Sequence, residues 1–272
     1  MPRISIMTMA FDRLLDKTLD DATMLAKLDD MGYDGVEVPS SRLAGNPART
    51  GLYAGYFARD RLKASCIDAI SNLALADPAR HAEAVAELRK AVELAAELSC
   101  PLVLSAGSHL SEGQTPEAGR ARIAEGLRAC LPAAQAKGIA LAIEDFGVAR
   151  TLQCAAKDCL AVLDAAPGAG FVFDTGNFYF AGEDPLDNFA ELGPRTLHAH
   201  FKDWVKSETP EISDVSGTAL GAGFIPNAEL VRRFMALGTV PYFSIELGGA
   251  KDVFDGARRD LETLRNWIRT VA

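Results

Sequence analysis

The chain has 272 residues, 49% of them hydrophobic and 24% charged, with a formal net charge of −9. This is the composition of a globular protein with ample material for a large core, and it excludes a disordered chain. The acidic balance and the lack of a basic run argue against nucleic acid as a partner, because such binding rests on Lys and Arg facing phosphates.

The first eight residues lack the basic region and long apolar run of a secretion signal. No stretch approaches the roughly 20 apolar residues of a membrane span. The five cysteines, Cys66, Cys100, Cys130, Cys154 and Cys159, are odd in number and none pairs at C-x-x-C spacing. Neither a disulfide framework nor a thiolate zinc site is therefore expected. A reduced, cytoplasmic setting without membrane contact fits best.

Along the chain, short apolar runs alternate with longer amphipathic ones. A strand is expected over 3–8 (RISIMT), then a helix over 20–31, where Leu25, Leu28 and Met31 recur at helical spacing. A strand over 34–38 (DGVEV), a short helix over 53–61 and a strand over 63–70 (KASCIDAI) follow. Asp77 and Pro78 suit the cap and first turn of a helix over 78–98, which leads to a strand over 102–106 (LVLSA). Thr115-Pro116-Glu117 opens a helix to 137, with a kink expected at Pro132 and Gly138 as its stop. The remaining strands are expected over 139–144 (IALAIE), 170–174 (GFVFD), 197–202 (LHAHFK) and 242–246 (YFSIE). Helices over 155–165, 185–192, 227–237 and 253–271 alternate with them. The strongest punctuation lies at 40–52 and 207–224, both polar and both on the strand-exit side.

Eight strand–helix units without a composition break imply parallel strands with buried faces. They predict a (β/α)8 TIM barrel, one domain spanning 1–272. An open doubly wound sheet is the competitor, but no G-x-G-x-x-G follows the first strand, and no phosphate-binding G-x-x-x-x-G-K-[ST] occurs.

In such a barrel the reactive groups gather where strands end. Glu144 closes IALAIE, Asp174 closes GFVFD, Glu246 closes YFSIE, and His200 sits near the end of LHAHFK. A carboxylate there is costly to desolvate and also serves commonly as a helix cap, so any one of the four carries little weight. Together they would place three carboxylates in one pocket, where only a cation relieves their repulsion. Three carboxylates and an imidazole suit a hard divalent ion. His198 and His200 are two apart and share a face, and spacing does not choose between them as the ligand.

Several segments carry a family likeness: Asp34-Gly35-Val36-Glu37, Ala142-Ile143-Glu144-Asp145, Phe173-Asp174-Thr175-Gly176-Asn177, His198 through Trp204, and Ser244 through Gly249. Through them the chain resembles the sugar phosphate isomerase/epimerase family. These are xylose isomerase-like barrels that include ketose 3-epimerases, hydroxypyruvate isomerase and inositol-catabolism isomerases. The resemblance implies one divalent ion on Glu144, Asp174, His200 and Glu246, with Mn²⁺ favoured and Mg²⁺, Co²⁺ or Zn²⁺ as alternatives. It also implies that Glu144 and Glu246 act as acid and base on a small sugar, keto-sugar or sugar phosphate through an enediolate. By analogy with the family, the protein is expected to form a homo-oligomer.

Asn177 stands where many ketose epimerases carry histidine, Lys202 and Lys206 where they carry arginine, and Ala222 in the turn 219–223 where glutamate is usual. Glu37, His109, Asn177 and Lys202 are the candidate substrate contacts, and Trp204 and Phe178 candidate pocket walls. The runner-up activity is a lyase or dehydratase on a keto-sugar, keto-inositol or oxidised glycoside, which needs the same metal and base. A non-catalytic sugar-binding barrel would have no use for two glutamates around a metal. An endonuclease IV-like DNA-repair enzyme, with three zinc ions and many histidines, fits poorly with four histidines and a charge of −9.

Overall fold

In a computed structural model, described for residues 1–59, 61–148, 151–209 and 213–272, eight parallel strands close into a barrel in the order β1-β10-β7-β6-β5-β4-β3-β2. The strands are β1 (Arg3–Met7), β2 (Gly35–Pro39), β3 (Lys63–Ile70), β4 (Leu102–Ala106), β5 (Ala140–Glu144), β6 (Gly170–Asp174), β7 (Thr196–Phe201) and β10 (Tyr242–Ile245). Around them run α1 (Asp21–Met31), α2 (Ser40–Leu43), α3 (Pro47–Arg59), α4 (Pro78–Glu97), α5 (Pro116–Ala136), α6 (Ala156–Ala165), α7 (Pro185–Leu192), α8 (Asn227–Leu237) and α9 (Val253–Val271). The expected (β/α)8 TIM barrel is the observed fold. Among the described residues, no helix is long and apolar enough to cross a membrane.

The helices begin where side chains replace missing backbone partners. Asp20, Asp77, Thr115 and Asp252 accept from the N–H groups of Thr23, Arg80, Ala118 and Phe254 respectively. Proline opens α4, α5 and α7, where its missing N–H costs nothing. Pro132 is contained within α5.

Two stretches differ from expectation. The chain over 40–52 is largely helical, because Asn46 Oδ1 accepts from Arg49 N and nucleates α3 ahead of the expected start. The expected helix runs to residue 61, but α3 ends at Arg59; residue 60 lies outside the described residues. Within 207–224, whose residues 210–212 also lie outside them, the chain returns as β9 (Val215–Thr218) and pairs antiparallel with β8 (Asp203–Lys206) above the barrel.

The main core fills the space between sheet and helices, with Leu28, Leu88, Leu127, Phe173, Phe234 and Leu264 among its fully buried members. The barrel interior is divided by character. On the β3–β6 side it holds the apolar cluster Cys66, Leu102, Leu104, Ala106, Ala142 and Val172. On the β1, β2, β7 and β10 side it holds the buried polar side chains Ser5, Glu37, His198, His200 and Ser244. Because alternate strand residues face inward, the position two beyond each layer opens at the strand-exit end. Polar groups there meet solvent on one side and this polar half on the other.

Candidate active site

Glu144, Asp174 and His200 converge at the strand-exit end of the barrel, with one ligand-capable atom of each within 4.8 Å of the others. Register brings this about: Asp174 on β6 pairs with His200 on β7, and Glu144 ends the adjacent β5. His200 Nδ1 lies 3.4 Å from Glu144 Oε2 and 3.7 Å from Asp174 Oδ2. All three side chains are buried.

Two constraints aim these atoms. The backbone N–H groups of Gly176 and Asn177 donate to Asp174 Oδ1 at 2.8 and 3.0 Å, leaving Oδ2 to face His200. Glu37 Oε1 accepts from His200 Nε2 at 2.9 Å, and Glu37 Oε2 from His198 Nε2 at 3.0 Å. A carboxylate only accepts, so Nε2 of His200 carries hydrogen and Nδ1 is left for another partner. Buried His200 Nδ1 and Asp174 Oδ2 make no hydrogen bond. Two buried atoms outside any hydrogen bond, facing the Glu144 carboxylate, match the donor set of a hard divalent cation.

The charges interlock. Burial works to raise the Glu37 carboxyl, but the His200 and His198 charges override it and hold it well below the usual range. Burial likewise opposes protonation of His200, yet the Glu37 charge, with the Asp174 and Glu144 carboxylates nearby, raises it well above the usual imidazole range. His198 is lowered, chiefly by burial. His200 therefore sits against the carboxylates, and His198 lies deeper, 6.3 Å from the Tyr242 ring.

Glu246 stands outside the trio. Its Oε2 pairs with Lys202 Nζ at 2.6 Å, and the same ammonium lies 3.0 Å from Asp174 Oδ2, at an angle that makes no hydrogen bond. Lys202 also donates to Asn177 Oδ1 at 3.3 Å. Burial penalises the ammonium, but Asp174 and Glu246 outweigh it and raise its pKa.

Above the trio opens a cavity of about 570 Å³. The candidates Glu144, Glu246, Lys202, Asn177 and His109 all line it. Glu37 is not among its lining residues; it is fully buried behind the two histidines, where it positions imidazoles. Trp204 lines the cavity, but Phe178 is buried against Phe173, ring centroids 5.1 Å apart, and Phe180 takes the wall position. The 3₁₀ turn over Asn177–Ala181 explains the exchange, since it replaces strand alternation with a three-residue period.

Two buried carboxyls escaped the sequence reading. Asp68, on β3, reaches the cavity floor, and burial followed by the charge of Glu37 pushes its pKa well above the usual range. Asp145 Oδ1 accepts from Asp174 N at 2.8 Å, and burial likewise pushes its carboxyl up. For Asp68 a signal was present: it is two residues beyond Cys66 on an otherwise apolar strand and so shares its inward face.

The xylose isomerase-like TIM barrel family model matches residues 25–269, and the chain belongs to that family. No curated protein sequence matches it. Among solved structures, the IOLI protein with a bound zinc atom superposes with a TM-score of 0.82 at 15% identity, covering 99% of each chain. L-ribulose 3-epimerase gives 0.80 at 17%, covering 100% of this chain and 96% of its own. The probable 3-DHS dehydratase AsbF from Bacillus anthracis gives 0.79 at 15%, covering 97% and 99%. At these identities the likeness is one of fold.

Proposed function

We propose that this protein is an enzyme that binds one divalent ion through Glu144, Asp174 and His200, recruits Glu246 as a fourth ligand, and isomerises or epimerises a small keto-sugar. The observation that carries this reading is the convergence of His200 Nδ1, which makes no hydrogen bond, with Asp174 Oδ2 and Glu144 on the floor of a substrate-sized cavity. The oxygen-rich donor set favours Mn²⁺, with Mg²⁺, Co²⁺ or Zn²⁺ as alternatives. The zinc atom named for the IOLI neighbour supports a bound metal in this fold. An ion held there would polarise a substrate carbonyl and its neighbouring hydroxyl, which would acidify the hydrogen on the hydroxyl-bearing carbon.

The chain's own groups do the rest. Glu246, partly exposed to the cavity, takes the carbon-bound proton as a carboxylate while the electron pair moves into the enediol double bond. Returning that proton to the former carbonyl carbon, as the hydroxyl proton passes to the former carbonyl oxygen, gives the isomer. Delivery of a proton by Glu144 from the opposite face gives the epimer. Burial pushes the Glu246 carboxyl up, Lys202 opposes that rise and aligns the group, and Phe146, Phe180 and Trp204 wall off water.

A panel of keto-sugars and keto-inositols incubated with Mn²⁺ in D₂O, then freed of metal and read by NMR, tests this. Isomerase turnover yields solvent-labelled isomers, whereas the dehydratase activity named for the AsbF neighbour would yield an unsaturated product. Glu246→Gln is expected to lower turnover by roughly 10²–10⁴-fold. Purified protein devoid of metal and indifferent to EDTA would sink the reading.

A further inference from the structure

Three of the large hydrophobic side chains left in solvent crowd onto the rim of this one cavity: Met9, Ile70 and Val148, 43%, 64% and 73% exposed. Isolated exposed apolar residues need no explanation, but a cluster around a pocket mouth does. The apolar surface does not stop at the rim. It descends along Phe146, Phe180 and Trp204 to Lys202 and the carboxylates of the floor. Phe180 and Trp204 pack edge to face at 5.8 Å, and Phe146 meets His109 at 6.4 Å, so the walls are stiff aromatic faces.

We propose that the substrate is an uncharged polyhydroxylated compound bearing an apolar substituent, with its hydroxyls on the acidic floor and the substituent against Phe146, Phe180, Trp204 and the Met9–Ile70–Val148 rim. This rests on the reading above that the floor is the reaction site. The volume, about 570 Å³, lies within the ~300–1,000 Å³ of pockets that enclose drug-sized ligands. The surface is concave and continuous with the polar floor, which is the shape of a small-molecule site; a protein partner needs a broad face of about 800 Å². Charge supports the same choice. Glu144 and Glu246 line the cavity, and Lys202, the one Lys or Arg lining it among the described residues, is already paired with Asp174 and Glu246. A phosphate or carboxylate on the ligand finds poor company there.

Methyl β-D-glucopyranoside and phenyl β-D-glucopyranoside share a sugar and differ only in the substituent, and glucose 6-phosphate adds a charge. Their Kd values on Mg²⁺-loaded protein, by calorimetry, test the proposal without requiring turnover. The phenyl glycoside is expected to bind about tenfold or more tighter than the methyl, and glucose 6-phosphate more weakly than either. The double variant Met9→Ser, Ile70→Ser is expected to bring the phenyl-to-methyl ratio towards one. Equal affinities, no binding of either glycoside, a ratio that survives the double variant, or preference for the phosphate each overturns the proposal. So does a rim whose substitution changes only the oligomeric state. If the phenyl preference holds while D₂O exchange fails, the reaction reading falls alone. If exchange occurs without a phenyl preference, this inference falls alone.

Discussion

The Lys202 ammonium lies 2.6 Å from Glu246 Oε2, and this ion pair holds the glutamate outside the trio of Glu144, Asp174 and His200. The lysine thus occupies the electrostatic role that a divalent ion would take over. Two unit charges about 4 Å apart at an effective dielectric of about 20 interact by roughly 4 kcal/mol, so an ammonium beside the centre competes strongly with a cation. Lys202→Met is expected to tighten Mn²⁺ binding about tenfold or more, measured by competition with a fluorescent chelator, and to lower turnover because Glu246 loses its alignment. Unchanged or weaker metal binding would show that Lys202 and the ion do not share these carboxylates.

Glu37 holds both barrel histidines by Nε2 and so leaves Nδ1 of His200 facing the carboxylates. In Glu37→Gln the amide cannot accept from both rings. The tautomer of His200 is then no longer fixed, and metal affinity is expected to fall about 10–100-fold. Glu37→Ala leaves two buried imidazoles without their charge partner and is expected to cost about 3–5 kcal/mol in denaturant unfolding. Intact metal affinity in Glu37→Gln would mean that the ring is oriented by packing alone.

Asp68 offers a test by pH. Burial and the Glu37 charge raise its folded pKa well above the usual carboxyl value, so the folded protein retains a proton that the unfolded chain gives up. Below the unfolded value, near pH 4, both states are protonated and Asp68 is neutral towards stability. As pH rises from there towards the folded value, the unfolded state loses its proton first and the folded state is progressively penalised. Asp68→Asn, which carries no ionisable group, is therefore expected to match wild type in Tm near pH 4 and to exceed it increasingly as pH rises to 7, with chelator present. A Tm difference that does not change with pH would show that Asp68 is not held protonated.

The barrel was legible because its strands keep a strict order of short apolar runs and capped helices, from RISIMT to YFSIE. Glu144, Asp174 and His200 were legible for a related reason: each ends or nearly ends a strand, and closing the barrel brings strand ends together. What resisted depends on neighbours that one strand cannot reveal. Asp68 and Glu37 share a face only through the β2–β3 register, in which Pro39 stands opposite Asp68. The Lys202–Glu246 pair depends on side-chain reach between β7 and β10. The β8–β9 hairpin was missed because DWVK and VSGT are too short to show a period.

The loop that follows this hairpin is tied down mainly by the Asp203 carboxylate, with Asp260 Oδ1 accepting from Leu220 N at 3.3 Å beside it. Asp203 Oδ1 accepts from the N–H groups of Trp204 and Ile225 at 2.9 and 3.0 Å, and Oδ2 from those of Gly221 and Gly223 at 2.9 and 3.1 Å. Asn227 Nδ2 adds a bond to Lys202 O at 2.9 Å, so the knot lies directly behind the cavity lysine. Gly223 must be glycine, because a Cβ there would run into the Asp203 carboxylate and the Trp204 carbonyl. Asp203→Ala strands four amides at once and is expected to cost about 2–4 kcal/mol. Gly223→Ala pushes the same carboxylate off the same amides and is expected to cost about 1–3 kcal/mol. Because both act on one interaction, their combination should cost less than the sum of the two, by at least about 0.5 kcal/mol in urea unfolding. Full additivity would mean that Gly223 does not act through Asp203.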